Sequence, residues 1–176
     1  MPAAILAYSL ESAVAEKFEA LIQRQLLTSC MKDIYDIYYL SNQFDFGGNL
    51  LQQAIWQTIT NRRTFYEPDS PDKVLALSDD PDIQIRWRQF LYRTKLSVLD
   101  LKQVFLEIEK FLQPVWASII QGRTYDKNWR AHTSTWNWFP KNLRSITVYT
   151  LVKSSQQYKP LDYKEIPKGI RHKGWF

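Results

Sequence analysis

Apolar side chains recur three and four residues apart from about residue 10 to residue 120. That spacing lines one greasy stripe along each helix and predicts a mainly α fold, a helical bundle. The first series is Leu10, Val14, Phe18, Leu21 and Ile22, with Ser9 as N-cap, Glu11 in the first turn and an end near Gln25. After a short connector, Ser29 caps a second helix from Met31 to about Ser41. Helices joined so tightly pack as antiparallel neighbours. Residues 42–48 read as a loop, and Asn49 to Arg62 as a third helix with Leu51, Ala54, Ile55, Thr58 and Ile59 inward. Pro68 and Pro71 mark residues 64–78 as a long surface loop. Asp80 before Pro81 has the form of an N-cap and first helical position. The helix it opens runs to about Lys95 with Ile83, Trp87, Phe90 and Leu91 on one stripe. Ser97 and Asp100 offer a cap for a last helix carrying Leu101, Val104, Phe105, Ile108, Leu112, Val115 and Ile119. Pro114 should kink it, since proline removes a helix hydrogen bond, and Gly122 supplies a stop.

Beyond Gly122 the period fades. Trp129, Trp136 and Trp138 are candidates to dock on the helices, and Ser145 to Val152 has the pattern of one strand. The chain therefore divides into a helical body, residues 1–122, and a basic, Trp-rich, partly disordered tail, residues 123–176. Charge divides the same way. Residues 1–120 hold 12 Lys and Arg against 15 Asp and Glu, and residues 121–176 hold 11 against 3. The single cysteine, Cys30, excludes a disulfide framework and suits the cytoplasm. The apolar run Ala3 to Ala7 has no basic residue before it, unlike a secretory signal, and no apolar run is long enough for a membrane span.

Two of the helical stripes carry charge where grease is expected. Lys17 falls between Leu10, Val14 and Leu21, while Ile37 and Leu40 flank Asp33, with Asp36 on the same side. Charges on core-facing stripes are costly unless paired. Lys17 and Asp33 thus form either a helix–helix salt bridge or a site. As a site they suit phosphoryl chemistry: a lysine holds a phosphate as a point charge, and a carboxylate takes a proton or orients an attacking group. Arg24 shares the Lys17 stripe and either extends a positive strip or snorkels at the rim. Arg62 and Arg63 end the third helix, where cations suit the dipole, and are alternatively phosphate contacts. Asp80 and Asp82, split by Pro81, read as capping rather than a metal pair, and Gly47-Gly48 as a loop. His132 and His172 lack partners at metal-ligand spacing, so no metal site is assigned. The tail has the composition of a single-strand binder or of a solvated end.

The ordered series Tyr8-Ser9-Leu10-Glu11, Ala15-Glu16-Lys17, Met31-Lys32-Asp33-Ile34-Tyr35-Asp36, Phe44-Asp45-Phe46, Arg62-Arg63-Thr64, Trp87-Arg88-Gln89-Phe90-Leu91 and Phe111-Leu112-Gln113-Pro114-Val115 resembles the AbiEii/AbiGii nucleotidyltransferase toxins of type IV toxin–antitoxin systems. The resemblance spans roughly residues 6–138. It implies the C-terminal lobe of a polymerase-β-like nucleotidyltransferase, with Lys17 and Asp33 as catalytic residues and Asp36, Arg24, Arg62 and Arg63 in support. It also implies transfer of a nucleotide from an NTP, with Mg²⁺, to RNA such as tRNA. The family's opening Gly-Ser turn and metal-binding aspartate pair have no counterpart here, and Cys30 stands where relatives often carry arginine. The expectation is a domain inactive alone, using Mg²⁺ and NTP only when an N-terminal nucleotidyltransferase half is supplied as partner. The alternative is a non-catalytic helical module that binds protein or RNA.

Overall fold

A computed structural model describes residues 9–24 and 31–138, except the Arg24 side chain. Among these, six α-helices surround a mostly aliphatic and aromatic core, and a small sheet closes one side. Helix α1 spans Leu10–Arg24, α2 Met31–Gln43 and α3 Gly48–Arg62. Then come α4, Ser70–Leu75, a 3-10 turn at Ala76–Asp79, α5, Pro81–Thr94, and α6, Leu101–Ile120. Three expected caps form, and the one expected at Ser29 lies outside the described residues. The Ser9 hydroxyl accepts from the Ser12 N–H, Asp80 from Asp82 and Ile83, and Asp100 from Gln103. Each satisfies donors that have no partner inside the helix.

Helix α1 lies against α2, α3 and α4, and α6 backs α2, α3 and α4. Val14, Phe18 and Leu21 of α1, Ile34 and Ile37 of α2, Leu51 and Ile55 of α3, and Phe111 and Val115 of α6 are buried. These are the stripes that periodicity marks.

The segment expected as a surface loop over residues 64–78 instead contains α4 and the 3-10 turn. Pro71 sits in the first turn of α4, where its missing N–H has no helix partner to lose. Val74 and Leu77 are buried. Two short breakers thus start a helix rather than prevent one.

Residues 42–48, expected as a loop, include strand β1, Phe46–Gly47. It pairs antiparallel with β2, Lys127–Arg130, in the register Phe46 to Trp129 and Gly47 to Asn128. Strand β3, Thr135–Trp138, is the outer strand of this sheet. Gly48 is required by close approach: a Cβ there would lie 2.5 Å from the Lys127 carbonyl oxygen and 2.6 Å from the Tyr125 ring.

Trp87, Trp116 and Trp129 bury their rings and Trp136 is half-buried, and all four direct the indole N–H to a backbone oxygen, as buried indoles must. Trp87 donates to Leu99, Trp116 to Pro68 and Trp129 to Ser41. Trp136 donates to Lys110 and Phe111 at 3.2 and 3.1 Å. That contact explains how α6 passes Pro114 without ending. Proline has no N–H for the Lys110 carbonyl four residues back, and Trp136 supplies one. Its ring stacks on Phe111, with centroids 5.8 Å apart. Trp129 and Trp136 therefore dock on the helices, whereas Trp138 is 67% exposed. The strand expected at 145–152, and the rest of the tail from residue 139, lie outside the described residues, as do Cys30 and His172.

Candidate functional site

The antiparallel neighbours α1 and α2 bring Lys17 against the first turns of α2. Its Nζ lies 3.4 Å from Asp33 Oδ1 and 2.6 Å from Asp36 Oδ2. Exposure separates the two acids: the side chain of Lys17 is 12% exposed, Asp33 22% and Asp36 1%. Asp33 thus faces the solvent side of the seam, and Asp36 lies beneath it.

Asp36 is incompletely satisfied. The Lys17 ammonium meets Oδ2 at 2.6 Å, while Oδ1 has no hydrogen-bond partner among the described residues. Burial pushes its carboxyl above the usual carboxylate range, and the charges of Lys17 and Lys32 only partly oppose this. Burial also draws the Lys32 ammonium below its ordinary value, with Lys17 repelling it. A carboxylate kept in such a place does not arise from packing alone, because an apolar side chain would be cheaper there. Beside it Tyr35, on the same helix, stacks with Tyr39 and meets the Phe90 ring of α5 at 5.9 Å.

A second polar cluster lies on the α3 side of α1. Glu19 is fully buried; Arg62 Nη1 is 2.7 Å from its Oε2, and the Thr64 hydroxyl donates to its Oε1. Arg62 also reaches Glu16 at 3.5 Å. The structure therefore brings Lys17, Asp33 and Asp36 together and holds Arg62 on other acids. Arg63 caps α3 in the left-handed conformation, φ 54°, with its side chain exposed. Arg24 ends α1, and its side chain lies outside the described residues. Sequence reasoning missed Glu19. Its signal was its place between Ala15 and Ile22, both of which are buried.

The other candidates resolve simply. Asp80 caps α5. Gly47 and Gly48 join β1 to α3, and His132 is exposed. Among the described residues no group of three or more His, Cys, Asp or Glu could hold a metal ion. The donor set at the seam, one ammonium and one accessible carboxylate, fits a phosphate and a hydroxyl but not an enclosed divalent ion. No helix among the described residues is long and apolar enough to cross a membrane.

No curated protein and no solved structure matches the chain. A family model does: that of the nucleotidyl transferase AbiEii toxin, type IV toxin–antitoxin system, matches residues 1–114, the segment containing α1 to α5 and most of α6. With that match covering more than half of the 176 residues, the chain belongs to the AbiEii nucleotidyl transferase toxin family.

Proposed function

We propose that this helical domain supplies the lysine–aspartate half of a nucleotidyl-transfer centre, taking an NTP as donor and an RNA, such as a tRNA, as acceptor. The observation that carries this reading is Lys17 held between a partly open carboxylate, Asp33, and a buried, under-satisfied one, Asp36. A purely structural bridge would saturate both oxygens of its buried acid. Here the ammonium sits at the mouth of the seam and has a stronger partner to gain in a triphosphate. Lys17 grips a phosphate oxygen. Asp33 orients the acceptor hydroxyl and takes its proton as the hydroxyl attacks the α-phosphorus and pyrophosphate leaves. Asp36 holds the Lys17 stem in place from beneath.

Mg²⁺ supplies charge neutralisation in such transfers. Its ligands would be carboxylates other than those of the seam, on this or another polypeptide. Membership in a type IV toxin–antitoxin family further implies an antitoxin counterpart.

The test is transfer of labelled nucleotide to RNA by the full chain, with and without a polypeptide bearing the family's paired aspartates. The expected result is transfer only in the mixture, lowered at least 100-fold by Lys17→Ala or by Asp33→Asn. Full activity in both variants overturns the assignment. Salt-sensitive RNA binding with no turnover in the mixture favours the non-catalytic binding module instead.

A further inference from the structure

Helix α5 buries only a narrow stripe, Ile83, Trp87 and Leu91. Its outer face carries Arg86, Arg88, Arg93 and, at the C-cap, Lys95, all exposed. Residues 83–99 contain no Asp or Glu. None of the four cationic side chains has an ion-pair or hydrogen-bond partner among the described residues. This stands out in a helical body whose acids outnumber its bases. The face is also ordered. At about 100° per residue, positions seven apart nearly eclipse. Arg86 and Arg93 form one row, Arg88 stands on the other flank, and Lys95 follows at the left-handed C-cap, φ 55°. Between the two flanks run Ile85, 45% exposed, and Tyr92, 87% exposed.

We propose that this face of α5 binds a single-stranded polynucleotide, its phosphates met by the two basic flanks and a base stacked on Tyr92. Unpaired cations beside an exposed ring are the combination that single strands recognise: charge follows the backbone, and an aromatic face accepts any base. A lipid surface is a poor fit, because the apolar stripe of α5 is spent on the core and leaves too little to insert. Phe90 of α5 lies 5.9 Å from Tyr35, the residue just before Asp36. Phe90 packs toward α2 from the inner side of α5, whereas Tyr92 and Ile85 face outward. The inference does not depend on nucleotidyl transfer, since binding needs no NTP.

The test is fluorescence anisotropy of labelled oligouridylate, and of oligothymidylate of equal length, with the full chain and no nucleotide present. Four phosphate contacts predict a slope of about −3 in log K against log salt, or roughly a 50-fold loss between 50 and 200 mM. Replacing Arg86, Arg88, Arg93 and Lys95 together by Gln should weaken binding at least tenfold and flatten the slope. All four positions are exposed, so circular dichroism should be unchanged. Tyr92→Ala should weaken binding roughly tenfold at every salt concentration. Tighter binding of either oligonucleotide identifies RNA or DNA as the strand. Three results overturn the proposal: no binding, unchanged affinity in the Gln variant (which places the strand on the basic tail), or equal displacement by polyglutamate. If oligouridylate binds as described and the reconstituted mixture transfers nothing, the surface stands and the catalytic reading falls.

Discussion

Lys17→Met keeps an unbranched stem of the same length, with sulfur in place of Cδ, and removes the ammonium, so it isolates the charge at the α1–α2 seam. The partner left behind is Asp36, 1% exposed, whose Oδ2 the ammonium meets at 2.6 Å. Breaking a buried ion pair by removing one member costs about 3–5 kcal/mol. Lys17 and Asp33 are 12% and 22% exposed, so water recovers part of the loss, and about 3 kcal/mol at pH 7 is expected. That lowers a urea midpoint by roughly 1–2 M. The assay is equilibrium urea unfolding followed by tryptophan fluorescence. Lys17→Met with Asp36→Leu should recover most of the loss, because no buried charge is then uncompensated. The penalty of Lys17→Met should also shrink as acid protonates Asp36. A loss below about 0.5 kcal/mol, or a double variant no more stable than the single one, would refute the coupling inferred from the 2.6 Å contact.

Three further outcomes follow from the same structure. Because burial raises the Asp36 carboxyl above its ordinary value of 3.8, the folded state holds the proton more tightly than the unfolded chain. Wild-type stability relative to Asp36→Asn should therefore be greatest below pH 3.8 and fall as pH rises through the folded value; pH-resolved urea titrations showing a rise would contradict this. Glu19→Ala strands Thr64 and frees Arg62 and should cost about 2 kcal/mol by thermal unfolding, much more than Glu16→Ala, whose contact to Arg62 is exposed. Gly48→Ala should lower stability by at least about 1 kcal/mol although alanine favours helix, because the new Cβ meets the Lys127 carbonyl.

How much was legible in the sequence depended on the kind of signal. Long amphipathic stripes marked α1, α3, α5 and α6, because 14 to 20 residues of one period leave few alternatives. Caps at Asp80 and Asp100 were readable because a carboxylate before a helix has one local job. Helix α4 was not, since six residues are too few to show a period and its two neighbouring prolines argue against helix. Strand β1 was equally hidden: two residues pair across a gap of more than 80 in sequence, and only Gly48 hinted at the close approach. At the site, Lys17, Asp33 and Asp36 stood out as charges on greasy stripes. What the stripe withheld was the order of burial, with Asp36 rather than Asp33 lying deepest and nearest to Lys17. The partner of Arg62 was withheld as well, because Glu19 sits at the stripe's edge, where solvated and buried acids look alike.

The central claim is that the Lys17 ammonium is placed to grip a triphosphate. Isothermal titration of NTP into the full chain, combined with the polypeptide bearing the paired aspartates, reads this directly. Lys17→Ala should weaken NTP binding at least tenfold, while Arg63→Ala, at the exposed C-cap of α3, leaves it unchanged. Equal NTP affinity for wild type and Lys17→Ala would contradict the account.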